Sequence, residues 1–258
     1  MATAGPRVNA PLLETRALTR TFGALVATRQ IDFRLEAGAR HALIGPNGAG
    51  KTTLINLLAG VISPTSGQVL LKGRDITAVG QAERVKLGIA RTFQVNRLFR
   101  ALSVLENVYI AVAERVGAAP SMFRPAGRRR DVVDESMRLL DTLRLIDDAG
   151  RRISELPYGR QRLVELAIAL GLSPELLLLD EPAAGVPSAE SHIILDAIER
   201  LPAAIGVLII DHDMDLVFRF AERITVMVGG AVFASGTPRE IAASPEVQAV
   251  YLGGAGRG

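Results

Sequence analysis

The sequence predicts an α/β fold in which a mostly parallel sheet carries a phosphate-binding loop, and three observations support this class. Residues 45–53 read Gly-Pro-Asn-Gly-Ala-Gly-Lys-Thr-Thr and fit the pattern G-x-x-x-x-G-K-[ST]. Residues 176–179 and 207–210 are continuous apolar runs, as expected of parallel strands that are buried on both faces. The 258 residues suffice for a single large α/β domain or for a domain with one inserted subdomain, and they contain no internal repeat.

Around the phosphate-binding loop, the region up to about residue 94 is predicted to alternate strands with turns. Ala37-Gly38 and the Ser/Pro/Thr/Gly cluster at 63–67 mark turns between apolar segments. The predicted elements are strands at 13–18, 31–35, 41–44, 69–71 and 89–93, a hairpin at 72–75, and a helix that begins at Lys51.

The following region, residues 95–165, is predicted to be helical because apolar residues recur at helical spacing in 104–116 and 132–146. The connection at 117–127 is rich in Gly, Ala and Pro. After it the chain returns to α/β character. There the predicted elements are the two buried strands already named, a hairpin of 224–228 with 231–234 around Gly229-Gly230, and a short helix from Pro245.

Composition excludes several classes of protein. Hydrophobic residues make up 48% of the chain, yet the richest stretch, 166–179, is interrupted by Ser173, Pro174 and Glu175 and is too short to span a bilayer. The N-terminus lacks the layout of a secretory signal. The absence of cysteine excludes disulfides and thiolate sites and fits a reducing compartment. We therefore expect a soluble, cytoplasmic chain.

The formal charge of +3 gives only a mild basic bias. A basic run at 128–130 is followed at once by Asp131, Asp134 and Glu135, and no aromatic residue interleaves it as single-strand binding requires. We interpret this run as a solvated helix face and expect no nucleic-acid partner.

Each residue type in the loop at 45–53 is suited to bind a polyphosphate. Glycines let successive N–H groups point at phosphate oxygens, and the following helix adds its positive end. Lys51 supplies a mobile charge for the outer phosphates, and the Thr52 hydroxyl can ligate Mg²⁺. A glycine-rich turn with a chance lysine is the alternative, which the flanking strand and helix disfavour. The residues predicted to contact the nucleotide are Gly45, Pro46, Asn47, Gly48, Ala49, Gly50, Lys51, Thr52 and Thr53.

Polar residues also follow three other predicted strands. Asp180 and Glu181 end the run at 176–179, so Asp180 is predicted to bind Mg²⁺ and Glu181 to act as a general base. His212 follows the run at 207–210 and can reach a γ-phosphate. Gln94 closes the strand at 89–93, and its amide can ligate Mg²⁺ or orient water. Alone, each has a structural alternative, such as a helix start for Asp180-Glu181; together with the loop they predict a nucleotide site.

These motifs resemble those of the nucleotide-binding subunit of an ATP-binding-cassette (ABC) transporter, over nearly the whole chain. Residues 45–53 are similar to Walker A, and 176–181 to Walker B with its catalytic glutamate. Gln94 resembles the Q-loop residue and His212 the switch histidine. Phe22 stands where the family places an aromatic that stacks on adenine; a core phenylalanine is the alternative.

The resemblance implies a P-loop NTPase core with a mostly parallel sheet, an N-terminal antiparallel β subdomain and an inserted α-helical subdomain. It assigns the catalytic core to residues 1–94 and 166–258 and the helical subdomain to 95–165. It also implies ATP and Mg²⁺ as ligands, with Lys51, Gln94, Glu181 and His212 in catalysis. The implied partners are a second ABC ATPase in a head-to-tail dimer, transmembrane permease subunits and, indirectly, a solute-binding protein, at the inner face of the cell membrane.

Three segments, 180–185, 92–94 and 250–253, are similar to the branched-chain amino-acid importer branch of the family. Urea or amide uptake and lipid export stay open as alternative cargoes. A soluble ABC ATPase acting on ribosomes or DNA is a further alternative, although such proteins generally join two cassettes or carry long coiled-coil inserts. A scaffold that binds ATP without hydrolysing it is disfavoured by Glu181 and His212.

The family signature Leu-Ser-Tyr-Gly-Gln appears here as Leu-Pro-Tyr-Gly-Arg at 156–160, and the following D-loop, 186–188, is also unusual. In the family this segment contacts the nucleotide held by the partner subunit. Proline removes a hydroxyl and an N–H but is tolerated in the first turn of a helix, and arginine offers a full charge in place of lost hydrogen bonds. We therefore expect the dimer to be asymmetric if the partner is a different ATPase chain that carries an intact signature. The signature residues predicted to contact nucleotide are Pro157, Tyr158, Gly159 and Arg160.

Overall fold

The computed structural model of the protein describes residues 10–92, 98–117 and 129–254, and within them two β-sheets are flanked by helices. The strands are β1 (Leu13–Phe22), β2 (Leu25–Leu35), β3 (Arg40–Ile44), β4 (Ser66–Leu71), β5 (Arg74–Asp75), β6 (Ile89–Arg91), β7 (Leu176–Asp180), β8 (Gly206–Ile210), β9 (Arg223–Val228) and β10 (Ala231–Gly236). The α-helices are α1 (Lys51–Leu58), α2 (Gln81–Lys86), α3 (Val104–Arg115), α4 (Arg130–Thr142), α5 (Tyr158–Gly171), α6 (Ser188–Glu199), α7 (Met214–Phe220), α8 (Pro238–Ala243) and α9 (Pro245–Gly254).

The larger sheet has the strand order β10-β9-β3-β8-β7-β6. Neighbours from β9 to β6 are parallel, and β10 is added antiparallel at one edge. Every residue of β7 and β8 is buried, which confirms that their apolar runs form central strands. The fold is thus α/β with a mostly parallel sheet, as predicted.

The register of the parallel strands brings the predicted site residues to one edge of this sheet. Ile210 of β8 lies beside Leu43 of β3 on one side and beside Asp180 of β7 on the other. The loop after β3, the Asp180-Glu181 pair and the turn after β8 therefore start at the same level.

The smaller sheet is antiparallel, in the order β2-β1-β4-β5, and it confirms the N-terminal antiparallel β subdomain. Strand β1 continues to Phe22, well beyond the predicted end at residue 18. Register shifts along its pairing with β2 absorb the irregular sequence, so the ladder continues through polar residues that break the alternation. Strand β2 likewise starts at Leu25 rather than at the predicted residue 31.

Two hydrophobic clusters cover the two faces of the larger sheet. Alternate residues of β3 point to opposite clusters: Ala42 and Ile44 join helices α3 to α7, whereas Leu43 joins α1 and the smaller sheet. Both faces of the strand that feeds the phosphate loop are therefore held by packed side chains.

The two helices predicted in the 95–165 region are present as α3 and α4. Helix α3 starts at a capping box formed by Ser103 and Glu106. Helix α4 ends at Thr142, short of the predicted residue 146, because Arg144 adopts a left-handed conformation with φ 56° and Ile146–Asp148 forms a 3₁₀ turn. Of the connection at 117–127, only Gly117 lies among the described residues.

Helix α5 runs without interruption across the predicted boundary at residue 165 and packs against α3, α4 and α6. The division of the chain at that residue stays a prediction. The final helix, α9, begins at Pro245 as predicted. In the parts of the chain that are described, no helix is both long and apolar enough to cross a bilayer.

Candidate active site

The phosphate-binding loop joins β3 to α1, and its curvature depends on glycine at two close approaches. Gly45 and Gly50 have φ angles of 150° and 94°, which glycine adopts without the strain that a side chain would bring. A Cβ atom at either position would lie 2.2 Å from a backbone carbonyl oxygen, that of Met227 in β9 or of Ala27 in β2. The loop is therefore pressed between two strands.

The Lys51 side chain folds back over this loop. Its Nζ donates hydrogen bonds to the carbonyl oxygens of Gly45 and Pro46 at 2.7 and 2.9 Å. Burial lowers the pKa of Lys51, while the charges of Glu181 and Asp180 oppose that shift. Helix α1 has no side-chain cap and no acidic residue in its first turn, so its positive end is open to an anion.

The other predicted loop contacts are arranged around this lysine. Asn47, Gly48 and Thr52 are exposed, Thr53 is half-buried, and Ala49 is buried beneath the loop. Thr52 is thus an exposed residue next to Lys51, which is compatible with its predicted role as a metal ligand.

The two carboxylate oxygens of Asp180 differ in their partners. Its Oδ2 lies 2.9 Å from Nη2 of Arg91, whereas its Oδ1 is buried and has no hydrogen-bond partner among the described residues. Burial raises the pKa of Asp180, and the Arg91 guanidinium opposes that rise. A buried oxygen with no partner is costly unless a ligand completes it, and this fits a metal ion.

No cluster of three His, Cys, Asp or Glu side chains suited to a metal occurs within residues 10–92, 98–117 and 129–254. This is compatible with Mg²⁺, which protein sites often bind through one or two carboxylates together with substrate phosphates and water. Asp180 and Thr52 fit such a site. Gln94, the third predicted ligand, lies outside the described residues.

Glu181 and His212 are brought together at the sheet edge. Glu181 has a left-handed backbone with φ 48°, and its N–H donates to the carbonyl of Ile210 at 2.8 Å. His212 Nδ1 lies 3.7 Å from Glu181 Oε1 and 3.8 Å from Asp211 Oδ1. Asp211 in turn accepts the N–H groups of His212 and Asp213 and so shapes the turn after β8. The arrangement places a carboxylate beside an accessible imidazole.

Comparison with known proteins identifies the family of this site. A family profile described as "ABC transporter" matches residues 28–184, more than half of the chain. The chain belongs to the ABC transporter ATPases. A second profile, "Branched-chain amino acid ATP-binding cassette transporter", matches residues 231–257. The cassette is therefore an ATP-binding enzyme that hydrolyses ATP.

Relatives of this cassette cover almost its full length. The "High-affinity branched-chain amino acid transport ATP-binding protein LivG" of Salmonella typhimurium is 38% identical over 250 residues, which are 94% of this chain and 98% of the relative. A solved ABC transporter cassette in its ADP conformation is 30% identical with a TM-score of 0.83, and the match covers 94% of this chain and 99% of that one. A Clostridium perfringens cassette, described as part of an ABC transporter complex, is 26% identical with a TM-score of 0.78 and coverages of 94% and 95%.

Phe22 of the cassette is not a core residue, so that alternative is wrong. It ends β1 and is 45% exposed, with the guanidinium carbon of Arg20 4.6 Å from the centre of its ring. Arg20 is itself fixed by a hydrogen bond from Nη1 to the carbonyl of Ser63 at 2.9 Å. One face of the aromatic ring is thus supported by a cation, and the exposed remainder suits stacking on a base.

The signature residues start helix α5. Pro157 is the N-cap residue, with φ −57° and ψ 153°, so it lies just before the first turn of the helix and its φ is the one that the proline ring imposes. The Tyr158 ring lies under the guanidinium of Arg162, whose Cζ is 5.1 Å from the ring centre. Gly159 is buried. The helix therefore forms despite the proline.

Arg160 is held by its own subunit. Its Nη1 donates to the carbonyl of Arg144 at 2.7 Å, and its Nε lies 3.3 Å from Oδ2 of the buried Asp148. Asp148 also pairs with Arg151 at 2.8 Å. Arg160 was predicted to use its charge in place of lost hydrogen bonds to the partner's nucleotide. In the structure its guanidinium instead contacts the helical region of its own chain.

Sequence reasoning missed Arg91 and Asn56. Arg91 Nη1 donates to Oδ1 of Asn56 in α1, while Nη2 pairs with Asp180, so one guanidinium joins β6, α1 and β7. The available signal was an arginine within the apolar strand predicted at 89–93, because a charge buried in a strand requires a partner.

Proposed function

We propose that this cassette is the ATP-hydrolysing subunit of an importer for branched-chain or related amino acids. The name of the Salmonella relative and the branched-chain profile at the C-terminus support this cargo. Urea, amides or lipids are the alternative cargoes, since the site described above binds a nucleotide rather than the transported molecule.

In this proposal the nucleotide lies across the edge of the larger sheet. Loop N–H groups and Lys51 bind its phosphates, and the exposed Phe22 ring stacks on adenine. Thr52, Asp180 and Gln94 hold Mg²⁺, which would neutralise phosphate charge and align the phosphoryl group. The buried Asp180 oxygen without a described hydrogen-bond partner and the exposed position of Thr52 support two of these three assignments.

Glu181 is the proposed general base, and His212 its neighbour on the γ-phosphate side. Phosphoryl transfer requires mainly positioning and charge neutralisation, so a carboxylate aligned with attacking water completes the machinery. The observation that carries the proposal is the distance of 3.7 Å between His212 Nδ1 and Glu181 Oε1. Both residues lie close to the phosphate loop, where the charges of Glu181 and Asp180 act on the pKa of Lys51.

Replacement of Glu181 by glutamine tests this assignment. The variant should bind ATP with unchanged affinity and lose about 10²–10³-fold in turnover, since shape is kept and proton acceptance is lost. Fluorescent-nucleotide titration and phosphate release measure the two quantities. Glu36→Gln, an exposed carboxylate in the turn before β3, is the matched control. Normal turnover in Glu181→Gln would refute the base assignment.

The proposed assembly is a head-to-tail dimer with a different ABC ATPase chain, bound to permease subunits at the inner face of the membrane and supplied by a solute-binding protein. The unusual signature at 156–160 supports a partner with its own, regular signature. Reconstitution with permease, partner ATPase and binding protein in vesicles tests the cargo. Uptake of labelled leucine supports the proposal, and uptake of labelled urea but not leucine refutes the amino-acid cargo.

A further inference from the structure

Arg91 connects three elements of the nucleotide site. It is the last residue of β6, and its side chain is only 9% exposed. One guanidinium nitrogen pairs with Oδ2 of Asp180 at 2.9 Å, and another donates to Oδ1 of Asn56. Asn56 lies on α1, the helix that begins with Lys51. A planar, forked donor group is suited to hold two acceptors in fixed directions at once.

This connection leaves the two oxygens of Asp180 in different surroundings. The Asp180 side chain is 1% exposed, so its carboxylate is shielded from bulk solvent. Arg91 occupies Oδ2, and Oδ1 is left buried without a described partner. A carboxylate that is fixed on one side by a guanidinium presents the other side in a defined direction, as partners of metal ligands generally do.

The same guanidinium fixes Asp180 relative to the phosphate loop. Strands β6 and β7 are adjacent, with Arg91 beside Leu178, and the N–H of Thr92 donates to the Leu178 carbonyl at 3.0 Å. Helix α1 is not part of this sheet, so its register with β7 is not set by the strand ladder. The Asn56–Arg91–Asp180 chain supplies a polar link between the two elements that carry the phosphate ligands and the metal carboxylate.

We propose that Arg91 is a positioning residue for Mg²⁺: it orients Asp180 through one hydrogen-bonding arm and ties that carboxylate to the phosphate-loop helix through Asn56 with the other. The inference rests on the proposed role of Asp180 as a metal ligand. In this proposal Arg91 acts through Asp180 and Asn56 and is not itself a ligand of the nucleotide or of Mg²⁺.

The test measures how much Mg²⁺ strengthens ADP binding, by calorimetry with Mg²⁺ or with EDTA. Arg91→Lys keeps a positive charge but cannot reach both acceptors with fixed geometry, so Mg²⁺-dependent strengthening should fall about 10-fold while metal-free affinity stays within about 2-fold. Asn56→Ala leaves the Arg91–Asp180 pair and should give a smaller loss of the same kind. The electron paramagnetic resonance spectrum of Mn²⁺ bound in place of Mg²⁺ provides a second readout. We expect this spectrum to differ between Arg91→Lys and the wild type, because the metal coordination changes.

Arg84→Lys is the matched control. Arg84 is also buried and also bonds to α1, through the carbonyls of Leu57 and Leu58, but it has no described hydrogen bond or ion pair with Asp180. It should lower the melting temperature and leave the effect of Mg²⁺ unchanged. If Arg91→Lys does not fold, Asn56→Ala, which keeps both Arg91 and Asp180, still tests the link.

Asp180→Asn separates the two proposals. If this variant keeps the full Mg²⁺ effect, the metal assignment of Asp180 is wrong and the role of Arg91 falls with it. If Asp180→Asn abolishes the Mg²⁺ effect while Arg91→Lys and Asn56→Ala leave it intact, only the positioning role is overturned. In the Asp180→Asn background, Arg91→Lys should have no further effect on Mg²⁺ dependence; an additional loss would show that Arg91 acts by another route.

Discussion

The phosphate-loop edge and the start of α5 are both predicted to touch ATP, but they hold their polar groups differently. At the loop edge, Asp180 keeps a buried oxygen with no described partner, and α1 begins without a side-chain cap. At the start of α5, Arg160 is bound by the Arg144 carbonyl and by Asp148, and Pro157 offers neither an N–H nor a hydroxyl.

This difference has an energetic meaning. A buried polar group without a hydrogen-bond partner costs about 1–3 kcal/mol, and a metal ion bound at Asp180 Oδ1 would remove that cost. Contacts satisfied within the subunit must instead be broken before the same group can serve a ligand. We therefore expect the nucleotide site built on this chain's loop to be the stronger of the two in a mixed dimer, and the site completed by its α5 to be the weaker.

The largest expected effect is that of Lys51→Ala. Loss of the charge over the loop should reduce single-turnover hydrolysis in the reconstituted complex about 10²–10³-fold at this site, because phosphate charge is no longer neutralised. The matching lysine change in the partner ATPase should cost less, since that loop is completed by Pro157 and Arg160 of this chain.

Lys72→Ala, which removes an exposed lysine paired with Glu175, is the control for a lost surface charge and should leave hydrolysis unchanged. Equal losses from the two loop-lysine variants would contradict the asymmetry between the regions.

Acidification provides a second comparison, because the strand that feeds the phosphate loop contains a buried histidine. Burial, with a smaller contribution from Arg223, lowers the pKa of His41 from 6.5 to about 4. The unfolded chain takes up a proton that the folded one refuses, so stability is complete above pH 6.5 and declines toward pH 4. At pH 5 the loss should be about 2 kcal/mol relative to pH 7.

Urea unfolding of the wild type and of His41→Gln at both pH values measures this contribution. The variant is less stable at pH 7, because Thr225 loses the 2.8 Å contact with the ring, but its stability should depend less on pH. An equally steep pH dependence in His41→Gln would place the acid sensitivity elsewhere.

The sequence predicted most accurately the elements that depend on a short contiguous segment. The loop at 45–53 and the start of α1 at Lys51 follow from a contiguous motif, and the buried runs of β7 and β8 follow from their composition. Because parallel strands end at one sheet edge, the meeting of Glu181 with His212 was also predictable, although they are far apart in sequence.

Contacts between side chains that are far apart in the sequence could not be predicted from local sequence patterns. The Arg91–Asp180 pair and its link to Asn56 depend on how α1 packs against the sheet, which no local pattern encodes. The engagement of Arg160 by Asp148 depends on the 3₁₀ turn Ile146–Asp148, which stands where a continued α4 was predicted. Once that helix stops at Thr142, a buried aspartate faces the start of α5.

The smallest expected effect comes from repair of the signature. Pro157→Ser with Arg160→Gln restores the family pattern, and it should raise hydrolysis at the site that α5 completes about 5-fold, because a hydroxyl and an amide then become available for the partner's nucleotide. The measurement uses the Lys51→Ala background, in which only the partner's loop hydrolyses ATP. Arg160→Gln alone should cost less than about 1 kcal/mol of stability, because Arg160 is a partly exposed pair member and Asp148 keeps Arg151.

The single variants separate the two parts of the repair. If Pro157 limits the site, Pro157→Ser alone gives most of the gain; if the Arg144 and Asp148 contacts of Arg160 limit it, Arg160→Gln does. A fall in hydrolysis on Arg160→Gln would have the opposite meaning. It would show that Arg160 leaves its internal contacts in the assembled dimer and binds the phosphates of the partner's nucleotide directly. The two regions would then both contribute a cation to ATP, and they would differ only in the contacts that this cation makes before the dimer forms.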